Sequence, residues 1–236
     1  MAGAFASRRT WVVPLLLLVA GGLAVASVAF PFWENWGRGT DGTTSGSTWS
    51  VDGACYGMDP PGWACQTYPQ YLAYLGSDAQ FIEVMVATIY LAGGLALSGA
   101  LVSALAASFV IREGRRGLTS GLNTGRRRVA IRVGAILLVM AAAAVPIGVE
   151  VWLAQSDARG PGNCTVAFFS LCGTVVATAG PGWFMLVAAA ALGAAALLQV
   201  RREARRAGPP EVPSPPKSDP PGEGRSTANA AEFLLP

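Results

Sequence analysis

The chain has 236 residues, 52% of them apolar and only 13% charged, with a formal net charge of +3 and no histidine. Soluble domains carry about 25% charged residues, so this composition argues against a soluble enzyme, a disordered chain and a nucleic-acid binder. The absent histidine excludes Ser-His-Asp and Cys-His catalysis and any His-ligated metal, and no cofactor is expected.

The apolar residues come in blocks. A helix of roughly 20 apolar residues crosses a bilayer core of about 30 Å. After a short segment 1–10, residues 11–30 carry no charge and read as a first span. Arg8-Arg9, an apolar run and Ala24-Val25-Ala26 also resemble a secretory signal with its cleavage site, but the length favours an uncleaved helix. A second span covers 81–111, a third 129–154 and a fourth 182–200, with 160–182 reading as loop on its Gly, Pro, Asn and Cys content. Small residues such as Gly21-Gly22, Gly94 with Ser98, and 141–144 let such helices approach closely. Pro14 and Pro146 require neighbouring helices to satisfy the carbonyls they free.

Charge orients the spans. Of the 17 Lys and Arg residues, only Arg38 and Arg159 lie outside three clusters: Arg8-Arg9, seven arginines in 112–132, and six basic residues after 200. The positive-inside rule puts both termini and the loop 112–128 in the cytoplasm. Loops 31–80 and 155–181 then face outward, in a multi-pass plasma-membrane protein. The arginine clusters also make membrane lipids the first expected partner. Glu83 and Glu150 fall near the outer ends of spans two and three. They read as interfacial or loop-contacting carboxylates, and an intramembrane acid pair is the functional alternative. From 201 to 236 the chain becomes rich in proline and reads as a disordered cytoplasmic tail, in which Pro210, Pro213 and Pro216 have PxxP spacing.

The outer loops hold all four cysteines, Cys55 and Cys65 in the first, Cys164 and Cys172 in the second. An even count on the oxidising side implies structural disulfides. Of three possible pairings, the within-loop one is local, and a Cys55–Cys65 bridge fits a β-hairpin. Asn163-Cys164-Thr165 fits an N-glycosylation acceptor. The 50-residue first loop is too long for a plain connection. Turn signals at Asp41-Gly42, Ser45-Gly46, Asp52-Gly53 and Pro60-Pro61-Gly62 separate strand-like runs at 47–51 and 63–68. With Glu34, Asp41, Asp52, Asp59 and Asp78 against Arg38, this loop carries a charge of −4. The expected fold is a membrane all-α four-helix bundle with a small, disulfide-stapled, extracellular antiparallel β-sheet.

This layout resembles the claudin superfamily, which includes claudins, peripheral myelin protein-like proteins and calcium-channel gamma subunits. The family's first-loop pattern W…G-L-W…C…C is matched by Trp33 or Trp36, then Trp49, Cys55 and Cys65, with Thr48 where the family has Leu. Cys65-Gln66-Thr67-Tyr68 is similar to its C-K-x-Y run, and Gly180-Pro181-Gly182-Trp183 to the start of its fourth helix. The resemblance implies cell–cell contact, or a paracellular barrier or pore, through the outer sheet, at cell junctions. Its partners would be further copies or other claudin-like proteins. The alternative is an auxiliary subunit of a channel or receptor, favoured by the second cysteine pair and by an end at Leu235-Pro236 that is no PDZ ligand. A membrane enzyme or transporter has only Glu83 and Glu150 in its favour, so no enzymatic activity is expected.

Overall fold

The computed structural model describes residues 11–38, 42–59, 62–76, 80–116, 121–157, 170–172 and 175–206. In chain order it forms α1 (Val12–Ser27), β1 (Trp33–Arg38), β2 (Thr44–Ser50), β3 (Gly53–Asp59), β4 (Gly62–Gln66), α2 (Tyr68–Leu75), α3 (Gln80–Arg116), α4 (Gly121–Asp157), β5 (Ser170–Cys172), β6 (Val175–Ala179) and α5 (Pro181–Arg206).

Among the described residues, three helices are long and apolar enough to cross a membrane, over Ile82–Glu113, Gly125–Val151 and Pro181–Arg205. The first apolar run yields the shorter α1, of 16 residues, where hydropathy placed a span over 11–30. The arginine-bearing segments expected as loop or tail are partly helical, because α3 reaches Arg116, α4 starts at Gly121 and α5 runs to Arg206. Hydropathy reports where apolar residues stop, whereas backbone hydrogen bonding continues through arginine, a good helix former.

α1 packs against α3 and α5, and α4 packs against the same two, so the four helices close a ring. Much of its inner surface is made of small side chains. Ala20, Ala24, Ala92, Ala96, Ala141 and Ala189 are all buried, and a Cβ at Gly99 would crowd the Leu138 side chain. Pro146 lies inside α4, and its missing N–H leaves the carbonyl of Ala142 without the usual i→i−4 partner. The indole Nε1 of Trp183, from α5, donates to that carbonyl at 2.8 Å. Pro14 falls in the first turn of α1, where an N–H has no intrahelical acceptor anyway.

The strands form one six-stranded antiparallel sheet of order β4-β3-β2-β1-β6-β5. The strand-like run at 63–68 ends as β4 at Gln66, and Tyr68 opens α2 instead. Thr67 and Gln70 make a capping box there, with Pro69 in the first turn and the Thr67 N–H donating to Gln70 Oε1 at 3.1 Å. The region 160–182, expected as loop, contributes β5 and β6, and β6 pairs with β1 so that both connecting regions share one sheet. The sheet is tied to the helices by short backbone bonds: Phe32 N–H to Trp49 O at 2.7 Å, Gly180 N–H to Phe32 O at 3.0 Å and Gly182 N–H to Pro31 O at 2.9 Å. Gly180 and Gly182 are required there, because a Cβ at either would strike the backbone of the segment between α1 and β1.

Candidate functional site: the sheet and its two faces

The register sorts the first-loop residues onto two faces, since side chains alternate along a strand. Trp33 opposes Trp49, Asn35 opposes Ser47 and Ser47 opposes Tyr56, all on the face toward the helices. Trp33 and Trp49 are 0% and 3% exposed. They belong to one core cluster with Met85 and Ile89 of α3, Val149 of α4 and Leu186 of α5. The polar atoms on this face are partly satisfied among themselves. Trp49 Nε1 donates to Ser47 Oγ at 3.0 Å, and Asn35 Nδ2 donates to the same oxygen at 3.2 Å.

A ladder of aromatic rings continues from Trp49 into α2. Trp49 meets Tyr68 and Tyr71, Tyr56 meets Tyr71 and Tyr74, and Tyr68 meets Tyr90 of α3. The Tyr68 hydroxyl donates to Ser50 O at 2.5 Å and so ties α2 to the end of β2. Burial pushes the phenol pKa of Tyr68 up, with smaller contributions from Tyr90 and Asp52, and burial likewise raises that of Tyr71. Both rings therefore stay neutral and act as packing groups and donors.

The opposite face carries Trp36, Gly46, Gly57 and Trp63, which the register places in one row across four strands. Trp36 and Trp63 are 40% and 44% exposed. Two glycines between them leave a floor with no side chains, over which the indoles lean until their ring centroids are 5.2 Å apart, edge to face. A Cβ at Gly46 would lie 2.9 Å from the Trp36 ring and 3.2 Å from the Trp63 ring. Glu34, two residues before Trp36, accepts from its indole Nε1 at 3.5 Å.

Cys55 and Cys65 are directly opposed on β3 and β4 and form a disulfide on the Trp63 face. A sequence separation of 10 makes this a short closed loop, which constrains the unfolded chain by about 2.5 kcal/mol.

Trp33, Trp49, Cys55 and Cys65 are thus brought into one sheet, with the tryptophans on its inner face and the cystine on its outer face. Of the two residues matching the first family tryptophan, Trp33 is the one paired with Trp49, and Trp36 faces away. Glu83 and Glu150 are exposed, and among the described residues no salt bridge joins either to a partner. Asn163 and Cys164 lie outside the described residues, and Cys172 is described only as backbone in β5, so the second cysteine pair and the sequon are not part of this geometry. No group of acidic or cysteine ligands gathers to hold a metal among the described residues. The Trp36–Trp63 pair had a sequence signal in alternation, and the ladder tyrosines at 68, 71 and 74 have the spacing of one helix face. Trp63 stands two residues before Cys65, and glycines recur at 46 and 57. That signal acquires meaning only once the strand register is known. Neither a scan of protein-family models nor a search of curated proteins finds a match to this chain.

Proposed function

We propose that this chain is a claudin-like integral membrane protein whose four helices cross the plasma membrane with both termini inside, and whose sheet makes contact between neighbouring cells. Membrane placement is supported by the inverted burial of the helices. Leu15, Leu91, Leu101, Ile136, Ile147 and Leu198 are each at least half exposed while alanines take many of the buried positions, the pattern of helices solvated by lipid. The contact role is carried by one observation, the exposed Trp36–Trp63 pair seated over Gly46 and Gly57. Paired aromatics on a rigid sheet are the residue type that anchors protein interfaces. The resemblance supplies the partner class, a further copy or another claudin-like chain. The acidic first loop favours cation passage where such contacts enclose a pore. The proposal assigns the chain no catalytic step.

A second reading, an auxiliary subunit of a channel or receptor, is favoured by the same exposed helix faces, which would then receive another protein's helices. Expression in a cell line without junction strands, mixed with non-expressing cells, separates the two. Contact formation predicts tagged protein concentrated where two expressing cells meet, raised electrical resistance or a cation-selective leak, and loss of both in Gly46→Val and in Trp36→Leu/Trp63→Leu. A uniform signal with unchanged resistance contradicts contact formation, and recovery of a larger channel complex supports the auxiliary reading.

A further inference from the structure

We propose that the end of the helix ring remote from the sheet is a binding site for the phosphates of anionic lipid headgroups, an inference that rests on the membrane placement above. α1 and α4 run toward the sheet and α3 and α5 away from it, so the end of α3, the start of α4 and the end of α5 meet at this far end. One residue joins them. Arg127 of α4 is 20% exposed and reaches Glu113 of α3 at 3.9 Å and Glu203 of α5 at 3.7 Å. Both described acids at this end are thus engaged by a single largely buried guanidinium, which also holds the three helix ends in register.

Seven other arginines whose side chains are described here have no such partner. Arg112 on α3 is exposed, as are Arg126, Arg128 and Arg132 on α4. So are Arg201, Arg202 and Arg205 on α5. Among the described residues no salt bridge reaches any of these seven. Topology alone is served equally by lysine and arginine, yet every basic residue in 112–206 is arginine. The planar guanidinium donates in a fork that matches phosphate oxygens two at a time, which an ammonium does not.

The helix faces identify the phosphate's carrier. Leu105 and Phe109 are exposed at i, i+4 on α3, and Arg112 follows one turn later on the same side. On α4, Val129 and Val133 are exposed beside Arg126 and Arg132, and on α5 the exposed Leu198 stands one turn before Arg201 and Arg202. Each helix therefore presents an apolar surface directly next to guanidinium groups. A molecule with acyl chains and a phosphate fits that sequence of surfaces. A nucleic acid or a soluble phosphate matches only the charged half.

The test uses the full chain purified in neutral detergent and placed in nanodiscs. Binding is measured for diphosphatidylglycerol with two phosphates, phosphatidylglycerol with one, zwitterionic phosphatidylcholine, tail-free pyrophosphate and a short DNA duplex. The expected order is the two-phosphate lipid first, the one-phosphate lipid second, and the other three far behind. Arg126→Gln/Arg128→Gln/Arg202→Gln should weaken binding of the two-phosphate lipid about 100-fold, at roughly fivefold per arginine. The matching lysine triple variant keeps the charge and should lose mainly the preference for two phosphates over one. Equal binding of phosphatidylcholine, pyrophosphate or DNA binding as tight as the lipid, or a glutamine variant that binds like the parent overturns the proposal. Should the glutamine variant not fold, the lysine variant decides, and an unaltered two-phosphate preference in it counts against the site. Failure to enter nanodiscs contradicts the membrane placement itself, whereas entry without headgroup preference contradicts this inference alone.

Discussion

The helix ring and the sheet differ in what they bury and in what they leave open. In the ring, alanines and glycines share the interior with Leu17, Ile89, Leu138 and Leu186, while Leu15, Leu91, Leu101 and Ile136 stay exposed. At the sheet, Trp33 and Trp49 are buried together with Phe32, just before β1, and Tyr68 of α2, and Ser, Thr and Gly border the surface. The proposed membrane placement accounts for the difference with two solvents. Water drives large apolar groups inward. Lipid gives them no such drive and leaves close backbone approach and hydrogen bonds to hold the helices. The ring is accordingly joined by devices such as the Trp183–Ala142 bond, and the sheet by an aromatic core and a disulfide.

The largest effect expected from this contrast is in the sheet. Trp49→Ala removes a ring buried among Trp33, Tyr68 and Tyr71 and should cost about 3–5 kcal/mol. Denaturation followed by far-UV signal and by cystine accessibility checks it, and the sheet should be lost before the helices. If both are lost together, the two regions are one cooperative unit and the comparison is too sharp. In the ring, Trp183→Phe leaves the Ala142 carbonyl unsatisfied and should cost about 1–3 kcal/mol. Pro146→Ala restores an N–H to that carbonyl, so the Trp183→Phe cost should shrink in the Pro146→Ala background. A double-mutant cycle measures the coupling, and strictly additive costs would show that the indole does not replace the missing backbone bond.

Smallest is Tyr68→Phe, which deletes the bond to Ser50 O for about 1 kcal/mol. It carries a pH signature. The folded pKa of Tyr68 is raised above that of the unfolded chain, about 10. Its contribution is therefore complete below pH 10 and is lost as pH rises further, because only the unfolded chain ionises readily. Stability against pH should fall above about 10 in the parent and less steeply in Tyr68→Phe. Equal slopes would place the phenol in water.

Long apolar helices, an antiparallel sheet in the first connecting region and the Cys55–Cys65 bridge were legible because each rests on a local signal: an uncharged run, alternating strands between turns, and cysteines ten residues apart. What escaped depends on distant residues. β5 and β6 are too short to stand alone and exist as strands because β1 offers β6 an edge. α2 was hidden by its aromatic composition, which suits a strand, although Thr67, Pro69 and Gln70 spelled its start. Trp36 and Trp33 were indistinguishable in sequence, and only pairing with Trp49 assigns one to the core and the other to the open face.

The contrast between the two regions is tested most directly by spin labels placed singly at exposed or half-buried sites and probed in nanodiscs for collision with oxygen, which concentrates in lipid, and with a charged nickel complex, which stays in water. Labels at Leu91, Leu101, Ile136 and Leu198 should collide with oxygen and escape nickel, and labels at Thr48 and Trp63 should do the reverse. Nickel contact at the four helix positions equal to that at Thr48 and Trp63 would contradict the account.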